Sequence, residues 1–298
     1  MIKRTLCITS PCYLSASKRQ LLIKPRDDRE PQSVPIEDIG FLILENHSIT
    51  LSIRLIELLN ENNSAVIFCD SRHMPNSMLL PFEGNTTHAE TMRSQIEASV
   101  PLNKQLWAST IRAKIKNQAG LLKLLKRTES KQLTALVNNV KSGDPDNREG
   151  VAARIYWLAL MGPDFKRERF GDYPNNLANY GYAVLRGATA RALVGSGLHP
   201  VIGIHHKNRY NAFALADDIM EPYRPFVDQV VCEFYKNNPV RKEELSPEEK
   251  RAILKFLTSD VIFGRIKRPL MTGLSRTTSS FVNSFKQGKA LPVFPELK

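Results

Sequence analysis

Apolar residues in the first 80 positions come in short runs that Pro, Asp, Asn or Gly interrupt. Such runs, rich in β-branched and aromatic residues, predict strands over 5–9, 14–17, 21–24, 33–36 and 41–44. Helical spacing over 48–60 predicts one helix, and 65–69 returns to an apolar strand. The pattern therefore predicts a β-rich domain over residues 1–82.

A turn-rich segment over 83–90 follows and predicts a linker. Beyond it the apolar residues recur with helical spacing, which predicts helices over 88–99, 101–127, 129–141, 148–161, 175–196, 216–237 and 246–257. The fold class is therefore predicted to be α+β, with a small N-terminal β-rich domain and a larger all-α domain over 91–298. The end of the chain from about Gly273 is rich in Ser, Thr, Lys and Gly, which predicts partial mobility.

The chain of 298 residues carries 42 Lys and Arg against 30 Asp and Glu, a formal charge of +12. Two stretches, 104–127 and 261–295, contain basic residues and no acidic one. This excess predicts a nucleic acid or another anionic surface as partner. Solvated helix faces are the alternative interpretation.

Other features limit the function classes. The four cysteines form no C-x-x-C pair, so neither a zinc module nor a disulfide framework is indicated. P-loop, dinucleotide-binding and serine-hydrolase motifs are missing from the sequence. Because the apolar runs are too short for a membrane span, we expect a soluble, cytoplasmic protein without a membrane partner.

Imidazole and carboxylate groups are concentrated between residues 199 and 228. His205 and His206 precede Asp217, Asp218 and Glu221. One imidazole with two or three carboxylates is a ligand set suited to Mn²⁺ and acceptable to Mg²⁺. An ordinary acidic helix face next to a polar loop is the alternative.

Glu149 lies where a turn enters an apolar helix. On local grounds it is a carboxylate near a helix N-terminus, with Asp146 or Asn147 as the cap. Gly150 is unusual in a first helical turn, and close approach of another backbone or of a ligand would account for it.

Four ordered motifs resemble one family. They are Asn147-Arg148-Glu149-Gly150, then Asn179-Tyr180-Gly181-Tyr182, then Gly203-Ile204-His205-His206, and Glu221-Pro222-Tyr223-Arg224-Pro225. In order and spacing they resemble the CRISPR-associated adaptation integrase, the larger of the two near-universal Cas proteins (the Cas one family). The segments 34–39 and 66–70 also resemble the β domain of that family.

The resemblance implies a metal-dependent DNA endonuclease and integrase that inserts spacer DNA into a CRISPR array by 3′-hydroxyl transesterification. Its metal ligands would be Glu149, His206 and Glu221, with Asp218 as a further acidic candidate and Mg²⁺ or Mn²⁺ as the cofactor. His206 rather than His205 is selected because the family histidine stands three residues after a glycine, here Gly203.

The resemblance also implies an assembly. Family members form homodimers through the β domain, and a small second CRISPR adaptation protein bridges two dimers on double-stranded DNA. The first motif is most similar to the subtype with a single large RNA-guided effector nuclease, so that effector complex is a further expected partner. The candidate phosphate contacts are Lys104, Arg112, Lys114, Lys116, Lys207, Arg209 and Arg224.

Two other functions compete with this one. A repair-type metal-dependent nuclease would use the same residues with water as the nucleophile. An architectural DNA or RNA binder would use only the basic surface, and its carboxylates would be caps and solvated side chains.

Overall fold

The computed structural model describes residues 4–81, 84–169, 171–239 and 244–298. The chain divides into two compact units, Met1–Gly84 and Asn85–Lys298. Phe82 and Glu83, next to the division, lie outside the described residues, and the first helix of the second unit begins at His88.

The N-terminal unit is β-rich, as predicted. Its elements are β1 (Arg4–Ile8), β2 (Cys12–Ser17), β3 (Gln20–Pro25), β4 (Gln32–Pro35), β5 (Ile39–Leu44), β6 (Thr50–Leu51), α1 (Ile53–Glu61), β7 (Ala65–Cys69) and β8 (Pro75–Leu79). Strand order is β1-β5-β7-β8 in one sheet and β4-β3-β2-β6 in the other. Every residue of β5 is buried between two parallel neighbours, as the uninterrupted apolar run indicates. One core joins Leu14 and Leu21 to Leu42 and to Leu55 of α1.

The second unit is mainly helical. Its helices are α2 (His88–Ile96), α3 (Val100–Leu124), α4 (Ser130–Val137), α5 (Arg148–Met161), α6 (Asn175–Gly195), α7 (Ala214–Met220), α8 (Arg224–Asn237), α9 (Pro247–Leu254) and α10 (Leu270–Gln287). A hairpin of β9 (Asp260–Phe263) and β10 (Ile266–Pro269) is an addition to the predicted all-α domain. The α+β class is confirmed. Within the described residues, no helix has the length and apolar character needed to cross a bilayer.

Helix α3 runs through the middle of the second unit. Ser99 caps it by accepting a hydrogen bond from the backbone N–H of Leu102 at 3.3 Å. Its buried side chains include Trp107, Ile111, Lys114 and Leu121. These residues are separated by four, three and seven positions, which is close to whole turns of an α-helix, so they lie on one face. A lysine therefore lies on the buried face of the longest helix.

The predicted helix over 216–237 is interrupted. Helix α7 ends at Met220, Glu221–Tyr223 form a turn of 3₁₀ helix, and α8 starts at Arg224. The physical reason is proline: Pro222 and Pro225 have no N–H to donate into a continuous α-helix. Asp218 and Glu221 are therefore placed by two different short elements rather than by one helix face.

The Ser- and Thr-rich end of the chain forms α10, where the sequence predicted partial mobility. Composition did not indicate this helix, because its hydroxyls bond within it: Ser280 donates to the carbonyl of Thr277 and Ser284 to that of Ser280. The last residues are also held, since Asn117 of α3 donates to Pro295 O at 3.0 Å and accepts from Leu297 N at 3.0 Å.

Candidate metal and nucleic-acid site

Glu149 is the first residue whose position follows from local backbone chemistry. Asn147, in the left-handed region with φ 47°, accepts from Gly150 N at 3.1 Å. The carboxylate of Asp144 accepts from Arg148 N at 2.9 Å and Glu149 N at 3.0 Å. Because Asp144 and Asn147 satisfy these N–H groups, the side chain of Glu149 is not needed as a cap.

Gly150 is explained by this cap. A Cβ at this position would lie 2.7 Å from Nδ2 of Asn147 and 2.9 Å from its Oδ1. The close approach that the sequence suggested is therefore made by the capping side chain.

Asp218 organises the histidine loop. It is fully buried and accepts backbone hydrogen bonds from Ile204 N at 2.7 Å, His205 N at 3.0 Å and His206 N at 3.2 Å. A Cβ on Gly203 would lie 2.5 Å from the carbonyl oxygen of His206 and 2.9 Å from Oδ2 of Asp218. The Gly-x-x-His spacing is thus that of a turn wrapped around one carboxylate, and only glycine fits its start.

A second contact holds the same loop from α2. Gln95, which is buried, donates from Nε2 to His199 O at 3.0 Å and Ile202 O at 2.9 Å. Its Oε1 accepts from His199 N at 2.9 Å. Buried polar side chains therefore hold the loop that carries the histidines at two places, residues 199–202 and 204–206.

The two adjacent histidines have different surroundings. Nδ1 of His206 lies 2.6 Å from Oδ1 of Asp218, so its Nε2 is the nitrogen left for a ligand. His205 instead stacks on Trp107, with ring centroids 4.0 Å apart and planes 1° from parallel. The hydrogen bond to Asp218 raises the pKa of His206, whereas burial lowers the pKa of His205.

Glu221 lies between two cations. Its Oε1 is 2.9 Å from Arg224 Nη2 and its Oε2 is 2.6 Å from Lys114 Nζ. Burial disfavours the charged form of Glu221, but the charges of Arg224 and Lys114 outweigh burial and lower the pKa of the carboxyl. Glu221 is therefore an anion at neutral pH, although only 4% of its surface is exposed to the water that would stabilise the charge.

Lys114 bridges Glu221 to Glu149. Its Nζ lies 2.5 Å from Oε1 of Glu149, so the two carboxylate oxygens on this ammonium are no more than about 5 Å apart, the sum of the two contacts. Burial opposes the charge on Lys114, but Glu221 and Glu149 raise its pKa. The residues brought together are thus Glu149, Glu221 and Lys114, with Arg224 on the far oxygen of Glu221.

This position changes two of the expected phosphate contacts. Lys114 is 9% exposed and turned onto the carboxylates, and Arg224 is partly buried, with its guanidinium 4.6 Å from the ring centroid of Tyr182. Neither cation faces open solvent as a phosphate contact from a basic surface would. The other five are exposed: Lys104, Arg112, Lys116, Lys207 and Arg209.

Some exposed basic residues already have partners. Arg112 donates to Val140 O at 2.6 Å, and Lys116 Nζ lies 2.6 Å from Glu296 Oε1. Arg209 lies over the exposed ring of Tyr210 at 4.7 Å. These residues remain at the surface and available for further contacts.

The donor chemistry of the site fits Mg²⁺ or Mn²⁺. Two carboxylates face one cation, and an imidazole nitrogen is oriented by a buried carboxylate. Among those residues, however, no group of three or more His, Cys, Asp or Glu is already arranged around a common point. The cation between the carboxylates is the ammonium of Lys114.

A buried carboxylate next to the site was missed by the sequence analysis. Asp228 of α8 accepts hydrogen bonds from Tyr156 Oη at 2.8 Å and from Tyr182 Oη. The ring of Tyr182 is the one over which the guanidinium of Arg224 lies. Burial raises the pKa of Asp228 from 3.8 to about 6, with the two phenol hydrogen bonds opposing the rise. Its sequence signal was weak, because a single Asp on a helix is ordinarily a surface residue.

Replacing Asp228 by asparagine should change the pH dependence of stability. Because the pKa of Asp228 is about 6 in the folded protein and 3.8 in the unfolded chain, protonated Asp228 contributes stability to the fold. This contribution is complete below pH 3.8 and is lost as pH rises through 6. The difference in free energy of unfolding between variant and wild type should therefore move by about 1.4 kcal/mol in favour of the variant between pH 5 and 7.5. Urea unfolding at both pH values measures it, with exposed Asp164→Asn as control; a difference that does not vary with pH contradicts the assignment.

Comparison with known proteins identifies the family. The profile of the family described as "CRISPR associated protein Cas1" matches residues 6–262. A relative named "CRISPR-associated endonuclease Cas1" from Neisseria meningitidis serogroup C (strain 8013) is 36% identical over 282 residues, which cover 94% of this chain and 91% of the relative.

Two solved structures share the fold. "Casposase bound to integration product" matches with a TM-score of 0.79 and 20% identity over 97% of this chain and 92% of that chain. A chain of the "Cas6-RT-Cas1--Cas2 complex" matches with a TM-score of 0.76 and 20% identity over 99% of this chain and 36% of that chain. The motifs, the fold and the extent of the sequence match together place this chain in the CRISPR-associated Cas1 family.

Proposed function

We propose that this chain is a metal-dependent DNA endonuclease and integrase that inserts spacer DNA into a CRISPR array. The observation that carries the proposal is the meeting of Glu149 and the buried Glu221 on one cation, in a helical unit that also orients His206. The name of the Neisseria relative supports endonuclease activity, and the casposase complex supports integration as a reaction of this fold.

Glu149, His206 and Glu221 would hold Mg²⁺ or Mn²⁺. When bound, such an ion supplies Lewis-acid stabilisation of the negative charge that develops on the phosphate. Asp218 serves as the residue that orients His206, because its oxygens are already engaged by N–H groups of the loop and by Nδ1. We propose this orienting role for Asp218 in place of the role of a further ligand.

The reaction would exchange one phosphodiester for another. The 3′-hydroxyl oxygen of the incoming DNA forms a bond to phosphorus and loses its proton, while the bond to the leaving 3′-oxygen breaks and that oxygen gains a proton. The chain contributes a fixed site on three elements, and Arg224 adds positive charge beside Glu221. No covalent protein nucleophile is required.

The exposed basic residues would hold the duplex. Lys104, Arg112, Lys116, Lys207 and Arg209 are suited to phosphates, which supply affinity without sequence information. Homodimerisation through the N-terminal unit, a second small adaptation protein and an RNA-guided effector complex are the proposed partners, in the cytoplasm. The solved Cas6-RT-Cas1--Cas2 complex, which contains a chain with this fold, supports the second of these.

A joining assay tests the function. A labelled duplex with 3′-hydroxyl ends is incubated with Mn²⁺ and a supercoiled plasmid that carries a repeat array, next to the same duplex with dideoxy ends. We expect covalently joined product only with the hydroxyl ends. Cleavage that is equal for both duplexes would indicate a repair-type nuclease, and binding without either product would indicate an architectural protein.

The two histidines should differ in metal binding. Because Nε2 of His206 is oriented by Asp218 and His205 is stacked on Trp107, His206→Gln should lower the affinity for Mn²⁺ by about 10-fold or more and His205→Gln by less than about 3-fold. The rise in melting temperature across a Mn²⁺ titration measures both affinities. Equal losses in the two variants contradict the assignment of His206.

A further inference from the structure

Lys114 contacts two of the proposed metal ligands, and the proposed function gives it no role. Its ammonium contacts Glu149 at 2.5 Å and Glu221 at 2.6 Å, the two carboxylates proposed to bind the metal. The side chain is 11% exposed and comes from the buried face of α3. A cation is therefore built into the place where the two acidic ligands meet.

We propose that the ammonium of Lys114 competes with the divalent ion for Glu149 and Glu221 and so sets the metal affinity of the site. This inference rests on the proposed metal site. In the absence of an ion, the single positive charge of Lys114 lies between two carboxylates that would otherwise repel each other at close range, and it offsets part of their negative charge. When the ion binds, the ammonium leaves at least one of them.

Distance and charge both support competition. The ammonium contacts the two oxygens at 2.5 Å and 2.6 Å, and Mg²⁺ binds oxygen at about 2.0–2.1 Å, so an ion on the same oxygens would lie less than about 5 Å from Nζ. A positive charge this close also repels a divalent cation.

The carboxylates do not depend on Lys114 alone for their positions. The caps by Asn147 and Asp144 fix the backbone at Glu149, and Arg224 holds the other oxygen of Glu221 at 2.9 Å. Removing the ammonium should therefore free the oxygens without dispersing them. The net effect expected is tighter metal binding rather than weaker.

Lys114→Met tests the inference in the absence of DNA. Methionine keeps most of the length and apolar volume of the lysine stem and removes its charge. Mn²⁺ dissociation constants are measured from the electron paramagnetic resonance signal of free Mn²⁺ for wild type, Lys114→Met and a control, Lys123→Met, which is exposed on the same helix. We expect binding at least 10-fold tighter in Lys114→Met and unchanged in the control.

The possible results are distinct. If wild type binds Mn²⁺ and Lys114→Met binds it equally or more weakly, the proposed competition is wrong. The proposed function is left intact by that result. No Mn²⁺ binding by any of the three proteins overturns the metal site and the inference with it.

The Lys114→Met protein must fold for its Mn²⁺ affinity to be measured, so a second variant is needed. Lys114→Gln, which keeps a hydrogen-bond donor near Glu149, is the second variant, and the same tightening is expected. If neither variant folds, a structure of the wild-type protein with Mn²⁺ is the test. The inference is overturned if Nζ of Lys114 remains within 4 Å of both carboxylates while they hold the ion.

Discussion

Replacing Glu221 by glutamine should reduce strand joining by on the order of 10³-fold or more while DNA affinity stays within a few-fold. Glutamine keeps the shape of the side chain but removes the anion that Arg224 and Lys114 surround. The cations that contact Glu221 are Lys114 and Arg224, not the five exposed cations proposed to hold DNA, so binding should survive. Joining rates and electrophoretic mobility shifts on the same duplex measure the two quantities.

Stability must be measured beside activity. Breaking a buried ion pair costs roughly 3 kcal/mol or more, because the remaining charges are left unpaired. Assays therefore run well below the melting temperature of the variant. Glu233→Gln, exposed on α8, is the matched control. Joining at the wild-type rate in a folded Glu221→Gln protein would remove Glu221 from the chemistry.

Asp218→Asn should have the largest effect on stability, a loss of roughly 3 kcal/mol or more in the free energy of unfolding. The carboxylate is fully buried and accepts three backbone N–H groups and Nδ1 of His206. The amide of asparagine would present two of its own hydrogens to this set of donors. Urea unfolding measures the loss, with exposed Asp164→Asn as control.

The same substitution should weaken Mn²⁺ binding by about 10–100-fold, because His206 loses its orienting partner. Calorimetric titration below the melting temperature measures this. Normal metal affinity in a destabilised Asp218→Asn protein would show that the carboxylate only supports the loop. Normal stability would contradict the hydrogen bonding on which the account of the loop depends.

The fold was predictable where the pattern of side chains matched one secondary structure. The apolar run of β5 and the long helical repeat of α3 both correspond to observed elements. Hairpin β9–β10 was missed because its strands are short and β10 is mostly exposed and charged. Helix α10 was missed because hydroxyl-rich composition favours loops unless the hydroxyls bond to their own helix.

The sequence led to a proposed set of site residues but could not predict the contacts between them. Local reasoning alone made Glu149 a cap-region carboxylate, and the structure assigns the capping to Asp144 and Asn147. Nor could spacing show that the oxygens of Asp218 are occupied by loop N–H groups. Those contacts depend on a turn that closes around a residue more than ten positions away.

Lys114 shows what composition conceals. Counted with its neighbours, it belonged to a basic stretch and was expected to contact phosphate. Its spacing from Trp107 and Ile111, however, places it on the buried side of α3. A lysine on an apolar stripe predicts a buried anionic partner, and here the partners are the two carboxylates of the site.

A crystal structure of the protein grown with Mn²⁺, in which anomalous scattering locates the ion, would test the proposed metal site. We expect one Mn²⁺ with Nε2 of His206 and a carboxylate oxygen of each of Glu149 and Glu221 within about 2.0–2.6 Å. An ion bound elsewhere, or bound through His205 in place of His206, would contradict the proposed site.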